Sequence, residues 1–262
     1  MTTYERRQSL LDILRKQPGL RVLELAHALD VSEGTIRNDL NALEDEGRLK
    51  RVHGGAVLNN QDQFQNNSFV RRFQENAEAK IAIAREASLL VMDGDSILLD
   101  ASSTDYYFAR ALSERQRLRV VTNGFEVARE LAHNTSNNVI LIGGVVNNDS
   151  SSVTGLLSER ILEELHIQKA FLSCSGFSLE RGMTEVLLAE AQIKRKAIES
   201  SRELFALVDS SKFGREDMTS FMRPEKLIRL FTDTGLSPEW MARLEQAGIA
   251  FTICEEKAVP LR

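Results

Sequence analysis

Apolar residues recur at i, i+3, i+4 and i+7 in two short runs near the start of the chain, and each run marks one buried face of a helix. Val22, Leu25, Ala26 and Leu29 form the first run; Ile36, Leu40 and Leu43 form the second. An earlier run of Leu10, Leu11, Ile13 and Leu14 predicts a helix that supplies the third wall of a small trihelical core, and Pro18-Gly19 ends it. Asp30-Val31 interrupts the pattern between the paired helices. Ser32 then offers an N-cap oxygen, and Glu33 places a negative charge at the positive end of the helix dipole. Gly47 is the expected stop of that helix. Beyond it, Arg48-Leu49-Lys50-Arg51-Val52-His53-Gly54-Gly55-Ala56-Val57 alternates loosely between apolar and basic positions, and its paired glycines permit a sharp turn. The expected element is a hairpin.

From Lys80 onward the pattern switches between helical and strand periods. Ile81, Ala84, Ala87, Leu90 and Val91 predict a helix, and Asp93-Gly94-Asp95 a turn. Continuous apolar runs at 96–100, 119–122, 139–142, 169–173, 204–208, 227–231 and 249–253 predict buried strands, with helical patterns between nearly all of them. That alternation predicts an open, mainly parallel α/β sheet. Residues 58–77 are rich in Asn and Gln and too polar to fold alone, although Phe64, Phe69 and Phe73 are placed to anchor them. The expected organisation is an N-terminal winged helix-turn-helix domain over 1–57, a linker over 58–77 and a larger α/β domain over 78–262.

Composition limits the reading without deciding it. The 262 residues carry 33 Lys and Arg against 38 Asp and Glu, a formal net charge of -5, so this is no generally basic nucleic-acid coat. Residues 1–58 balance nine Lys and Arg against nine Asp and Glu, so any DNA affinity must come from where the charges sit. No apolar run approaches the roughly 18 residues of a membrane span. The chain opens directly into an amphipathic helix instead of an apolar leader, so a cytoplasmic protein without membrane contact is expected. Cys174 and Cys254 have no second ligand nearby at metal spacing; they are expected to be buried, reduced thiols, with no metal and no cofactor bound.

Two sets of residues carry candidate chemistry. If the second helix of the pair lies in a major groove, its early outward residues face base edges: Gly34, Thr35, Arg37, Asn38 and Asn41, with Ser32 at the helix start. Arg suits guanine and Asn suits adenine. Lys50, Arg51 and His53 on the hairpin are placed to meet phosphate or the minor groove. A solvated helix face and a solubilising hairpin would carry the same residue types. The second set lies at the carboxyl ends of the predicted strands, where α/β sheets bind ligands. These ends read Asp100-Ala101-Ser102-Ser103-Thr104, Thr122-Asn123-Gly124, Gly143-Gly144, Ser173-Cys174-Ser175-Gly176 and Asp209-Ser210-Ser211-Lys212. Hydroxyls, free backbone N–H groups and a helix start after Thr104 suit a phosphate. Asp100 and Asp209 are candidates for sugar hydroxyls, and Lys212 or Lys194 for neutralising a phosphate. Each loop alone is also ordinary turn and cap chemistry.

The stretches Val31-Ser32-Glu33-Gly34-Thr35-Ile36-Arg37-Asn38-Asp39-Leu40 and Arg51-Val52-His53-Gly54-Gly55-Ala56 resemble the DeoR-type bacterial transcriptional regulators. The rest of the chain resembles their sensor domain, which is similar to ribose-5-phosphate isomerase, with Val-Asp-Ser-Ser-Lys-Phe (208–213) and Gly-Met-Thr-Glu (182–185, ending at Glu185) as further signposts. The resemblance covers nearly the whole chain. It implies a regulator, usually a repressor, of a carbohydrate operon that responds to a phosphorylated sugar or sugar alcohol. Two positions depart from the family pattern. Asn38 stands where a basic residue is usual, and Ser102 replaces the Gly of Asp-x-Gly-Ser-Thr, where a Cβ restricts positive φ.

The expected partners are therefore double-stranded operator DNA, a small phosphorylated sugar acting as effector, and further copies of the chain in a homodimer or homotetramer. The alternative is an aldose–ketose phosphate isomerase with an appended DNA module, in which Asp100, Glu185 or Asp209 would act as the base. No His lies near any of those loops, so the regulator is the reading preferred and no catalytic residue is assigned.

Overall fold

The computed structural model describes residues 3–16, 19–45, 48–52, 55–58 and 69–255. The expectations placed on Pro18, Gly47, His53, Gly54 and Phe64 lie outside these residues. The chain divides into two compact units, Met1–Asn67 and Ser68–Arg262.

In the first unit α1 (Thr3–Lys16), α2 (Val22–Leu29) and α3 (Glu33–Asp45) precede a hairpin of β1 (Leu49–Val52) and β2 (Gly55–Leu58). Leu10, Leu11, Leu14, Val22, Leu25, Ala26, Ile36, Leu40 and Leu43 close one core, which Leu49 and Ala56 of the hairpin complete. Ser32 caps α3 as its sequence suggests, its Oγ accepting from Thr35 N at 3.1 Å. Asp30, at φ 52, makes the left-handed turn between α2 and α3. Asp39 is 2% exposed, and the apolar pattern gave no hint of what it does. It accepts from Arg6 Nε at 2.6 Å and Arg7 Nε at 3.1 Å, fixing α1 against α3. An Asp39→Asn substitution should lower the midpoint of this unit by roughly 5 °C or more, because a charged hydrogen-bond acceptor for both arginines is lost. Urea-dependent hydrogen exchange at Leu40 and Leu43 checks this; unchanged exchange would show that the ion pairs add nothing.

The second unit opens with α4 (Phe69–Gln74) and α5 (Ala77–Ser88). There follow β3 (Ser96–Leu99), α6 (Ser103–Ala111), β4 (Arg119–Thr122), α7 (Phe125–Ala132) and β5 (Asn138–Leu141). A small hairpin of β6 (Val145–Asn147) and β7 (Ser152–Thr154) leads through α8 (Leu156–Glu163) to β8 (Ile167–Leu172). Next come β9 (Gly176–Ser178), β10 (Gly182–Glu185), α9 (Leu188–Glu199) and β11 (Ser201–Leu207). The last elements are β12 (Thr219–Met222), β13 (Arg229–Asp233), α10 (Pro238–Gln246) and β14 (Phe251–Cys254).

Among the described residues, seven strands form one sheet in the order β14-β13-β11-β8-β3-β4-β5. All its pairings are parallel. Both faces are covered: Ile97, Leu99, Phe171, Phe205 and Leu207 pack with Ile83, Phe108 and Val127 of α5, α6 and α7. Leu98, Ala170, Leu172 and Ala206 on the other face pack with Leu162, Ile193 and Leu244 of α8, α9 and α10. Each of the seven strands falls on a run expected from the sequence. The hairpin β6–β7 and the antiparallel sheet β12-β10-β9 were not foreseen, since three- and four-residue strands leave too short an alternation to read. The segment expected to be a linker also carries structure, because α4 is a helix within it whose Phe73 stacks on Tyr107 at 4.8 Å.

The strand order places the ligand-binding edge. The chain runs outward from β3 through β4 to β5, then returns to β8 on the other side of β3 and continues outward through β11. The reversal falls between β3 and β8, and the loops leaving those two strands diverge there to open a crevice.

Candidate functional site

On the first unit, α3 presents Gly34, Arg37, Asn38 and Asn41 to solvent, opposite the buried Ile36, Leu40 and Leu43. A Cβ built on Gly34 meets nothing nearer than Ser32 Oγ at 3.7 Å, so no internal packing requires the glycine. Arg37 pairs with Glu33 one turn back at 2.7 Å, with both side chains largely exposed. The Asn38 side chain makes no hydrogen bond among the described residues. Asn41 Oδ1 accepts from Arg51 Nη1 at 2.5 Å, and Arg51 N donates to Glu44 Oε1 at 2.8 Å. The hairpin is thereby joined to the helix it follows, with Lys50 exposed beside it. Ser32 and Thr35 are engaged in capping, with their hydroxyls 2.9 Å apart.

On the second unit, a cleft of about 330 Å³ lies at the switch point, lined by the loops after β3, β8 and β11 and by the corner between α4 and α5. Of the residues expected at a ligand site, Ser102, Ser103, Thr104, Glu185, Asp209 and Lys212 line it. Ser102 has φ -77 and ψ 156, so the replacement of the family glycine strains nothing; its Oγ caps α6 by accepting from Asp105 N at 3.0 Å. Ser103 and Thr104 follow at the N-terminus of α6.

Asp100 and Lys194 do not line this cleft; both are buried beneath it. Asp100 Oδ1 accepts from Ser102 N at 2.8 Å and its Oδ2 from Ser173 N at 2.9 Å, which ties the β3 loop to the β8 loop. Lys194 Nζ donates to Asp100 Oδ2 at 2.8 Å, Glu185 Oε1 at 2.5 Å and Ser173 O at 2.7 Å, so all three of its protons are used inside the protein. Burial alone would push the Asp100 carboxyl up, but the Lys194 charge and the hydrogen bonds it accepts hold it down at about 2. Burial would likewise depress Lys194, yet Asp100 and Glu185 carry it above the usual lysine range. Neighbouring Asp105 is driven the other way, well above the carboxylate range, first by burial and then by the charge of Asp100. The two carboxyls of that pair are driven in opposite directions.

Thr122, Asn123, Gly124, Gly143 and Gly144 do not line the cleft, because β4 and β5 lie beyond β3 on the side away from the reversal. Thr122 Oγ1 accepts from Gly124 N at 3.0 Å, and Asn123 Nδ2 donates to Val153 O at 3.2 Å. A Cβ on Gly124 would stand 2.8 Å from Ala101 Cα, so this glycine serves loop packing. Gly143 O accepts from Ser158 Oγ at 2.7 Å at the exposed sheet edge. Gly176 is also set back from the cleft, and a Cβ there would meet Arg215 O at 2.5 Å.

The structure adds residues that strand-end reasoning passed over: Arg72, Glu75, Asn76, Lys80 and Arg215 line the same cleft. The first four come from the polar segment read as a linker and from the start of α5. A basic Arg71-Arg72 pair followed by Lys80 was the available signal. Asn76 Nδ2 donates to Asp209 Oδ1 at 3.0 Å and to Ser211 Oγ at 3.1 Å. Asp209 is 1% exposed, and its Oδ2 has no partner among the described residues, nor has Arg72 Nε. Burial pulls the Lys80 ammonium down to about 8, against the pull of Asp209, and its protons go to the carbonyls of Arg72 and Glu75. Cys174 lines the cleft as a buried thiol pushed up by burial, so it is protonated and inert.

The cleft thus gathers a helix N-terminus and two unburied basic side chains, Lys212 and Arg215, beside acceptors on Glu185 and Asp209. That set suits an anion carrying hydroxyl groups. Among the described residues no helix is long and apolar enough to cross a membrane.

Comparison with known proteins gives two family matches, to the DeoR-like helix-turn-helix domain over residues 6–62 and to the DeoR C terminal sensor domain over residues 75–234. The chain is 38% identical to the HTH-type transcriptional regulator GolR of Listeria innocua, over 97% of this chain and 100% of that one. It is 35% identical to the L-fucose operon activator of Haemophilus influenzae over 93% of this chain and 97% of that one. With the lactose phosphotransferase system repressor of Streptococcus mutans it shares 34% identity over 89% and 93% respectively. Among solved structures, a ribose 5-phosphate isomerase from Methanocaldococcus jannaschii aligns with a TM-score of 0.39 and 23% identity over 53% of this chain and 55% of its own, a likeness too distant to weigh.

Proposed function

The chain belongs to the DeoR family of helix-turn-helix transcriptional regulators, and from that premise we propose that it represses a carbohydrate-utilisation operon and is controlled by a phosphorylated sugar bound in the switch-point cleft. The observation that carries the reading is the presence in one chain of an exposed Arg37–Asn38 helix face and a cleft lined by Ser103, Thr104, Lys212 and Arg215. On the DNA side, Arg37, Asn38 and Asn41 read bases from the major groove, while Lys50, Arg51 and His53 hold the backbone or the minor groove. Ser32, Gly34 and Thr35 bring the helix N-terminus close to the duplex.

On the ligand side, the phosphate sits at the N-terminus of α6, on the Ser103 and Thr104 N–H groups and hydroxyls, with Lys212 and Arg215 neutralising it. Asp209 and Glu185 accept from sugar hydroxyls. The sugar phosphate is an effector, not a cofactor. An isomerase is disfavoured because Asp100 is sealed under the cleft by Ser102, Ser173 and Lys194, and near-full-length relatives are named as transcriptional regulators. Operators read by a helix pair are two-fold, so the chain acts as a homodimer or homotetramer in the cytoplasm. The exposed apolar side chains Val145, Val146, Leu156 and Leu157 support a second copy as the occupant of that edge of the sheet.

A thermal-shift screen of pentose and hexose phosphates tests the ligand assignment. Lys212→Ala should weaken the responding compound about tenfold, the loss of one charge-assisted contact worth about 1.5 kcal/mol. A wild-type protein indifferent to every sugar phosphate, or a Lys212→Ala protein that binds as before, overturns the assignment.

A further inference from the structure

The helix α4 is the first described element after the DNA-binding unit, and it is held both by the helix whose N-terminus lines the cleft and by the cleft corner itself. Phe73 stacks on Tyr107 with rings 4.8 Å apart and meets Tyr106 edge-on at 5.3 Å. Both tyrosines lie on α6, whose first residues Ser103 and Thr104 line the cleft. Tyr107 Oη donates to Phe73 O at 3.1 Å. At the C-terminal end of α4, the buried Lys80 ammonium caps the carbonyls of Arg72 and Glu75, while Asn76 bonds to Asp209 across the cleft corner. Phe69 N donates to Asp149 O at 2.8 Å and Arg72 Nη2 to Ser150 O at 3.4 Å.

Two polar groups in this corner are unused. Arg72 Nε and Asp209 Oδ2 are buried without a hydrogen-bond partner, one a donor and one an acceptor, on the wall of the same cleft. Such groups cost free energy until something pairs with them. Lys80 is in a related position: it lines the cleft, two of its three ammonium protons go to main-chain carbonyls, and the third is open to an entering anion.

Resting on the reading of the cleft as the effector site, we propose that Arg72 and Lys80 are effector-binding residues and that α4, drawn by them and seated on Tyr106 and Tyr107, is the route by which occupancy of the cleft reaches the DNA-binding unit. The acidic oxygen of the ligand takes Arg72 Nε and Lys80 Nζ, and a ligand hydroxyl donates to Asp209 Oδ2. The third Lys80 proton goes to the ligand, whose charge draws the ammonium away from the two carbonyls it caps, and the hold of α4 on the sheet changes. Coupling requires that the ligand bind one arrangement of α4 more tightly than the other.

The test separates binding from transmission on the full-length chain. Binding is read by Trp240, the single tryptophan of the chain, whose ring lies 5.4 Å from that of Phe213 beside Lys212. Inorganic phosphate, ribose 5-phosphate, glucose 6-phosphate and fructose 6-phosphate are the probes. Transmission is read as the probe-induced change in anisotropy of labelled DNA from the promoter adjacent to the gene. Arg72→Ala should weaken the active probe about tenfold. Phe73→Ala, with Tyr107→Phe as the milder variant should the first unfold, should bind the probe within about threefold of wild type while its DNA affinity no longer responds. Variants that keep the full DNA response overturn the route through α4. So does loss of binding and response together in Phe73→Ala and Tyr107→Phe, which would make α4 a wall of the cleft only. If wild-type Trp240 answers to none of the probes, the effector reading itself falls, and this proposal with it.

Discussion

Replacing Lys194 by Met is expected to lower the stability of the sheet unit by about 3–5 kcal/mol, the usual cost of stripping one partner from a buried charge pair. For a unit of this size that is a fall of roughly 10 °C in the unfolding midpoint. Lys194 has both Asp100 and Glu185 to neutralise, at 2.8 and 2.5 Å, and Met fills its place with apolar bulk but no charge. The pH dependence gives the sharper diagnosis. In the wild type, Asp100 sits at about 2, below the ordinary value of about 3.9 for an unfolded Asp. Its contribution is complete above about pH 4 and is lost as the pH falls through about 2. In Lys194→Met the buried Asp100 carboxylate is left without its cation and takes up a proton on folding. Stability of the variant should therefore rise as the pH is lowered from 7 toward 5, while the wild type stays level. Calorimetric melts across that range decide the matter; a variant that melts within about 2 °C of wild type at pH 7 removes the ionic account of the cleft floor.

The second large effect is expected on operator binding. Arg37→Ala and Asn38→Ala should each cost about 1–3 kcal/mol, or roughly 10- to 100-fold in affinity, as the loss of a bidentate base contact. The pair between Arg37 and Glu33 does not offset this, since both side chains lie in solvent and such pairs contribute little. Asn38 is the better-placed asparagine. Both ends of its amide are open, whereas the Asn41 carbonyl already accepts from Arg51. Lys50→Ala should act differently, weakening all sequences alike and reducing the slope of affinity against salt by about 1. Gel-shift titrations at several salt concentrations distinguish the two kinds of loss. Undiminished binding by Arg37→Ala would remove α3 from the groove.

The first unit was legible because its core follows a single helical period. Leu10, Leu11, Leu14, Val22, Leu25, Ile36, Leu40 and Leu43 are all both periodic and buried. Asp39 was illegible for the same reason: a buried carboxylate answers to Arg6 and Arg7, more than thirty residues away, and leaves no trace in local spacing. The strands of the main sheet were legible as apolar runs, but their order was not. Order decides which strand-end loops meet, and Thr122 to Gly124 and Gly143-Gly144 stand on loops that do not line the cleft. Asp100 and Lys194 lie together, but under the cleft and not on its wall, because sequence shows a charge without showing its depth. Arg72 and Asn76 were hidden in a segment whose polar composition hides a helix anchored by Phe73, and Lys80 lies at the start of the next helix.

The hydrogen bond from Asn76 to Asp209 joins residues 133 positions apart, and that from Ser173 to Asp100 joins residues 73 apart. A cleft closed by bonds of such span cannot exist in a nascent or half-assembled chain, because loops of that length close only once the strands between them have paired. The cleft is therefore expected to form late in folding. A ligand that binds there stabilises the finished sheet by mass action and has no purchase on any earlier stage.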